Sequence, residues 1–322
     1  MFKKIDTFIQ KNQLINIGNT IIAGISGGPD SVFLLHVLEQ YRKTHDLKIV
    51  AAHLNHEWRN EAQQDADLCA KLCKKFDIPL VIKKASELNI TIKDNGSKEE
   101  VGRKLRRFFF EQLAQKHDAQ AIALGHHAND QQETFFMRLI RGATLSGLTC
   151  MKPRDGLYIR PLLQTHKADI ISHLKEKNIP FAVDSSNEST TFLRNRIRLS
   201  VIPAISKCDE RFEEQFERTL DHLQETEFFL HSLTNDIFGN LAKQKNETWH
   251  IDLVQFKQLH PFMKRKLLVH WLIKEQAPMM LTEQFLDEIM RFLENSDKKN
   301  HAVHHAWRIN RTKNQFYLSK KQ

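Results

Sequence analysis

Three short stretches of this sequence concentrate residues able to handle phosphate and protons. The first is Ser26, Gly27, Gly28, Pro29, Asp30 and Ser31. Paired glycines let the backbone approach a ligand with no Cβ in the way, and amides opening a helix favour an anion, so phosphate is the natural guest. No lysine follows the second glycine, which sets the loop apart from GxxxxGKS/T, and the spacing is not GxGxxG. The second stretch, GHHANDQQET at 125–134, offers His126, His127, Asp130 and Glu133. Three residues apart on a helix, Asp130 and Glu133 share a face, where carboxylates bind magnesium or accept a proton. The third, RNRIR, carries Arg194, Arg196 and Arg198 behind DSSN at 184–187. Arginine clamps phosphate with a planar fork that never loses its charge. Successive members of this alternating set are rotated by about 200° on a helix, so they cannot all face one side, and at least one faces the site. The plain alternatives are a glycine turn, acidic capping and surface ion pairs.

The elements needed to place these groups are legible. Thr20 to Ile25 is a short β-branched apolar run of buried-strand length, and the apolar side of a helix begins at Val32. Further strands are expected at Lys48–Asn55, Leu80–Lys83 and Ala121–Gly125, alternating with helices at Glu61–Phe76 and Lys98–Lys116. This rhythm predicts an α/β fold with a doubly wound parallel sheet joined by right-handed crossovers. Ligands of such sheets lie beyond the carboxyl ends of strands, where the glycine loop, His53 with Asn55, His56 and Arg59, and the GHH segment all fall. His53 and His56 lack a third partner for zinc, so an adenosine-side contact is their expected use. Arg103, Lys104, Arg106 and Arg107 form a basic helix face, solvated or turned to phosphate.

Lys167 to Lys177 reads as another helix, and past Cys208 the composition shifts. A charged helix over Glu210–Leu233 with a packing stripe leads into a smaller, mainly helical C-terminal domain that closes in a hairpin, giving domains 1–205 and 206–322. With 48 Lys and Arg against 39 Asp and Glu, the net charge of +9 suits a polyanionic partner. Four cysteines form no CxxC and no disulfide framework, as expected of reduced thiols in a cytoplasm. The N-terminus has no signal-peptide core, and no apolar run reaches membrane-span length, so no membrane association is expected.

The SGGxDS loop resembles the pyrophosphate loop of the ATP pyrophosphatase superfamily, whose adenine-nucleotide alpha-hydrolase (PP-loop) fold is implied with it. Taken with the HxNH segment, GHHxDDQxET, RGATLSGL, RPLL and the D-S-x-N…RNxIR…P signature, the chain is similar to the tRNA(Ile)-lysidine synthetases. One position departs, since Asn129 stands where the family has the first aspartate of its DDQ triplet. The resemblance implies ATP and Mg2+ as cofactors, L-lysine as nucleophile, and tRNA(Ile) with a CAU anticodon as partner. Lysine would join C2 of the wobble cytidine through an adenylated cytidine, giving lysidine, AMP and pyrophosphate, and moving codon reading from AUG to AUA. It implies ATP contacts at Ser26, Gly27, Gly28, Pro29, Asp30, Ser31, His53 and His126, and magnesium at Asp30 and Asp130. Asp130 and Glu133 would act as bases, while Arg194 and Arg196 would hold the adenylate. The C-terminal part would bind tRNA, stopping before a further module of longer members, and a homodimer is compatible with this. Two alternatives stay open: another PP-loop RNA-modifying enzyme such as a thiolase, and a non-catalytic ATP-dependent RNA-binding module, to which Asn129 lends weight.

Overall fold

The computed structural model describes residues 1–58, 62–90, 98–182, 190–295 and 298–320. These form two compact units, Met1–Leu220 and Asp221–Gln322.

The first unit opens with helix α1 (Phe2–Lys11), strand β1 (Thr20–Gly24), α2 (Pro29–His45), β2 (Lys48–Asn55), α3 (Ala62–Lys75), β3 (Leu80–Lys84) and α4 (Lys98–Lys116). It continues with β4 (Ala121–Ala123), α5 (Ala128–Ile140), α6 (Leu145–Leu148), β5 (Arg154–Asp155), β6 (Tyr158–Ile159) and α7 (Lys167–Glu176). Then α8 (Leu193–Arg196) runs through a π-helical turn at Ile197–Val201 into α9 (Ile202–Cys208), and α10 (Phe212–Leu241) crosses out of the unit.

The sheet order is β3-β2-β1-β4-β6-β5. All neighbours are parallel except β5, which folds back antiparallel on β6 as a short edge hairpin that strand periodicity is too short to announce. Because side chains alternate across a strand, each strand feeds two cores. Ile21, Ala23, Ile49, Ala51, Ala121 and Ala123 pack under α1, α2, α3 and α7. Ile22, Val50, Ala52, Leu54 and Ile122 pack on the other face against Phe109, Phe110 and Leu113 of α4. The chain leaves β1 toward β2 on one side and finds β4 on the other, so the strand order reverses between β1 and β4. Their carboxyl ends are the switch point at which such sheets bind ligands. On α10, Phe216 and Leu220 bury against Cys150 and Phe135.

The second unit adds β7 (Ala242–Lys245), β8 (Thr248–Asp252), α11 (Leu253–Gln258), α12 (Pro261–Lys274), α13 (Glu283–Asn295), β9 (Asn300–His304), β10 (Trp307–Arg311) and β11 (Gln315–Lys320). The expected terminal hairpin is β10–β11, but it belongs to a five-stranded antiparallel sheet of order β7-β8-β11-β10-β9. Phe316, Leu318, Ile309 and Ile251 point from that sheet onto Trp271, Phe256, Ile289 and Leu293. Helix is thus still the larger part of this unit, with a sheet closing its core. No helix among the described residues is long and apolar enough to cross a membrane.

Candidate active site

The glycine loop spans from the end of β1 to the first turn of α2. Gly27 has φ +84°, a conformation that costs a side-chain-bearing residue about 1 kcal/mol or more. Two serines close the loop. Ser31 Oγ accepts from the Ser26 N–H at 3.1 Å and donates to the Gly28 carbonyl at 2.9 Å, while Ser26 Oγ accepts from the Gly28 N–H at 3.4 Å. The Ala182 N–H donates to the Gly27 carbonyl at 2.9 Å and ties the loop from outside. The Val32 N–H bonds back to Gly28 at 3.0 Å and Pro29 has no N–H, so the amides of Asp30 and Ser31 have no acceptor within the helix. They offer donors to an anion at the positive end of α2.

The second strand exit is pressed against this turn. A Cβ on Gly125 would lie 2.8 Å from the Asp30 carbonyl oxygen, so only glycine lets β4 deliver its loop so close. His127, buried at the start of α5, then stands between two acids, its Nε2 3.6 Å from Asp30 Oδ2 and 3.5 Å from Asp130 Oδ2. The His127 N–H also donates to Asp130 Oδ2 at 3.0 Å, capping α5. Burial pushes the Asp130 carboxyl up, but His127 and Arg194 outweigh it and hold the group below the usual carboxylate range. At Asp30, burial is likewise outweighed, here by His127 and Lys167, whose Nζ is 2.8 Å from Oδ2. Asp30 Oδ1 is buried with no hydrogen-bond partner among the described residues.

One turn along α5, Glu133 is 1% exposed and its carboxylate is gripped twice. Arg194 Nε donates to Oε2 at 2.6 Å; Arg198 donates through Nε to Oε1 at 2.5 Å and through Nη2 to Oε2 at 3.0 Å. Arg194 Nη2 reaches Asp130 Oδ1 at 2.6 Å, so one guanidinium bridges both acids. Each arginine is about one-third exposed at 28% and 33%, which leaves the pairs open to exchange with an incoming phosphate.

On the β2 side, His53 Nδ1 donates to the Ile25 carbonyl at 3.0 Å, and burial lowers the imidazole toward its neutral form. That tautomer leaves Nε2 an acceptor, buried and without a partner among the described residues, suited to the exocyclic amine of a purine. His56 is lowered to about 4 by burial and by Arg106, whose Nη1 lies 3.1 Å from its Nε2, and it stacks on Trp58. His126 is half-buried and lowered to about 4, burial leading and Arg160, Arg194 and Arg103 adding to it against Asp130. Arg160 is itself buried and donates to the Lys152 carbonyl at 2.8 Å.

The structure therefore brings together Ser26 to Ser31, His126, Asp130, Glu133 and Arg194, with His53 at the neighbouring strand end. Arg196 stands elsewhere: it is exposed and donates to the carbonyls of Thr190 and Thr191 at 3.1 and 2.9 Å. Arg198 takes the second place at Glu133, because residues four apart on a helix differ by only about 40° while residues two apart differ by about 200°. That arithmetic was available from RNRIR. His127 and Lys167 were harder to find: the first is one of a histidine pair, and the second opens a helix whose packing only the fold reveals. Asn129 does not face the acids. Its Oδ1 accepts the Lys167 N–H at 3.0 Å, a backbone-capping contact that amide and carboxylate oxygens make alike. The DSSN signature at 184–187 and Arg59 lie outside the described residues.

Among those residues no three His, Cys, Asp or Glu side chains converge on a metal-sized space. Magnesium needs no such cage, since it is held by one or two carboxylates together with substrate phosphates, and the unpartnered Asp30 Oδ1 beside a phosphate loop fits that habit.

The PP-loop domain family matches residues 2–205. Over 247 residues the chain is 36% identical to the tRNA(Ile)-lysidine synthase of Clostridium acetobutylicum, a match that covers 76% of this chain and 52% of that protein. Over 306 residues it is 30% identical to the tRNA(Ile)-lysidine synthase of Bacillus thuringiensis subsp. konkukian, covering 91% of this chain and 64% of that one. The chain thus spans about half the length of the first of these relatives and under two thirds of the second. Among solved structures, the U34-tRNA thiolase NcsA from Methanococcus maripaludis superposes with a TM-score of 0.59 at 17% identity, over 69% of this chain and 78% of that one, a likeness of fold.

Proposed function

This chain belongs to the PP-loop family, and from that premise we propose that it uses ATP to ligate L-lysine to C2 of the wobble cytidine of a tRNA(Ile) with a CAU anticodon. The observation that carries the reading is an unbroken run of polar contacts at the β1/β4 switch point. It leads from Asp30 on the phosphate loop through His127 to Asp130, and through Arg194 to Glu133 and Arg198. An ATP-type anion site and a set of exchangeable carboxylate–arginine pairs are thereby one site.

In the first step the amides and hydroxyls of Ser26 to Ser31 hold the leaving phosphates, and the cytidine O2 attacks the α-phosphorus. The bond from that phosphorus to pyrophosphate breaks, leaving a 2-O-adenylated cytidine. Catalysis is then mostly positioning and charge stabilisation. Magnesium would be held by Asp30 with Asp130, where it supplies neutralisation of phosphate charge. Arg194 and Arg198 move from the acids to the adenylate phosphate, and His53 Nε2 accepts from the adenine amine. In the second step the ε-amine of lysine loses a proton to Asp130, with Glu133 the second carboxylate, and attacks C2. The C2–O2 bond breaks and AMP leaves, giving lysidine and a tRNA that reads AUA instead of AUG. Releasing both acids from their arginines is what makes them basic enough to serve.

An anticodon base is already single-stranded and can be splayed into such a pocket without opening a duplex. We assign catalysis to residues 1–205 and tRNA binding to 206–322, with the net charge of +9 supporting a polyanionic partner. The free cysteines suit a cytoplasmic setting. Sulfur transfer is the less supported chemistry, because burial pushes the Cys69 thiol up to about 12 and the Cys73 thiol up to about 11, far from a reactive thiolate. Exchange of labelled pyrophosphate into ATP tests the first step. Exchange that requires tRNA(Ile) is expected; tRNA binding without exchange would leave a binding module and overturn the enzymatic reading.

A further inference from the structure

The histidine that caps the start of α7 faces two acids of another helix. His166 lies with Nδ1 3.3 Å from Glu213 Oε2 and Nε2 3.2 Å from Glu217 Oε1. Four residues apart on α10, the two glutamates share one face of its first two turns, where as like charges they repel. One residue back, and so about 100° round the helix, Phe212 and Phe216 turn to apolar partners. Phe216 meets the Phe135 ring of α5 edge-on at 5.3 Å and is buried with Leu220 and Cys150. The sequence neighbours of His166 are tied to α5 as well: the Thr165 carbonyl accepts the Ala128 N–H and Asn129 Oδ1 accepts the Lys167 N–H, both at 3.0 Å. The ring therefore stands where α5, α7 and the start of α10 meet.

A neutral imidazole carries one N–H and one lone pair, so it would turn the lone pair on one of the glutamates; only the imidazolium presents an N–H to each. Nδ1 and Glu217 Oε1 are shut off from solvent with no hydrogen-bond partner among the described residues, which leaves the opposite charge to compensate them. We propose that His166 is a proton-operated clamp: charged, it fixes the first two turns of α10 to the junction of α5 and α7, and on losing its proton it lets them loosen. The surrounding charges favour the charged ring. Glu217 leads in holding the imidazole above its ordinary value, and Glu213 and Asp169 of α7 add to it against burial. The neighbouring Lys167 is turned to Asp30, and on α5 Asp130 and Glu133 are taken up by His127, Arg194 and Arg198. Because the folded value is raised above 6.5, the stabilisation is complete below that pH and is lost as pH rises through the raised value. Helix α10 carries the chain out of the first unit, so the proton acts on the stretch by which the chain leaves it.

Hydrogen exchange of the full chain from about pH 5.5 to about pH 8.5, read over the start of α10 and corrected for the intrinsic rate at each pH, tests this. The glutamates are 48% and 38% exposed, so solvent screens the contact and the expected change is modest. Protection of the first two turns in the natural chain should fall by about threefold or more across the range, while in His166→Gln it should be low throughout and flat with pH. His222→Gln alters a histidine farther along α10 that is 80% exposed, and it should behave as the natural chain does. In parallel, NMR titration should place His166 above 6.5 in the natural chain and at or below it in the doubly substituted Glu213→Gln, Glu217→Gln protein. That second readout holds even where His166→Gln does not fold. Protection that ignores pH in the natural chain, the same pH dependence in His166→Gln, or a ring that titrates below 6.5 overturns the inference. None of these readouts requires ATP or tRNA, so a failure of the proposed function leaves them standing.

Discussion

Gly125→Ala should damage the site far more than the fold. The added Cβ would meet the Asp30 carbonyl oxygen at 2.8 Å, its carbonyl carbon at 2.9 Å and the Ser31 nitrogen at 3.1 Å. Ordinary contact begins at 3.4 Å, so the exit of β4 and the first turn of α2 must part by about 0.6 Å. Backbone stands on both sides, and no rotamer change relieves the clash. Overpacking of this size costs about 1–3 kcal/mol in stability, which a chain of this length survives. The atoms that move, however, carry Asp30 and the loop amides that have no acceptor within the helix. Since misplacement by an ångström can cost about a hundredfold, a shift of this size should lower kcat/KM for ATP by roughly tenfold or more. Gly24→Ala supplies the contrast. Its Cβ would press on the Phe110 ring at 2.9 Å, on the α4 face of the sheet, so it should cost comparable stability and change the ATP parameters by less than about threefold. Pyrophosphate exchange rates at varied ATP, beside urea unfolding of both variants, decide the matter. If Gly125→Ala turns over ATP as the natural chain does, or Gly24→Ala loses as much, the close approach of β4 to α2 does not position the phosphate site.

The same geometry separates the arginines: Arg194→Ala, which strips a bridge from Asp130 and Glu133, should reduce lysine transfer by about a hundredfold or more, while Arg196→Ala should cost less than about threefold in the same assay. Asn129→Asp should leave single-turnover rates within about twofold because either oxygen can accept the Lys167 N–H, whereas Asn129→Ala should lower the unfolding free energy by about 1 kcal/mol in a denaturant titration. The imidazole of His56 should stay neutral in NMR titration until pH nears about 4, against an ordinary value of 6.5. Its proton is bound more weakly in the folded chain than in the unfolded one, so the stability it lends above pH 6.5 is lost as pH falls toward 4, and His56→Asn should flatten that decline in equilibrium unfolding.

Much of the first unit could be read from the sequence because its signals are local. The run from Thr20 to Ile25, the double glycine and the apolar helix after Asp30 follow one another within a dozen residues, and together they define a strand, a phosphate loop and a helix start. Helix α4, expected over Lys98–Lys116, is found over those residues, with Phe109 and Leu113 of the expected apolar face buried and Phe110 buried beside them. What escaped was information carried by tertiary placement. Lys167 is 137 residues from Asp30, and nothing near it marks its reach across the site. The β5–β6 hairpin has two residues per strand, too few for a period to show. In the second unit, strands such as Asn300–His304 are polar on one face and short, so sequence pattern marked only the terminal hairpin of a five-stranded sheet. Arg198 is a different case, because helical geometry already placed it beside Arg194 and away from Arg196.

The most direct measurement is incubation of the purified chain with tRNA(Ile), ATP, magnesium and radiolabelled lysine, followed by nucleoside analysis of the wobble position. The label should appear in a lysine-modified cytidine at that position, with AMP and pyrophosphate released in equal amounts, and Asp130→Ala should abolish it. AMP and pyrophosphate without labelled cytidine would contradict lysine as the nucleophile while sparing the ATP chemistry. Labelled cytidine formed at the natural rate by Asp130→Ala would contradict the role given to that carboxylate.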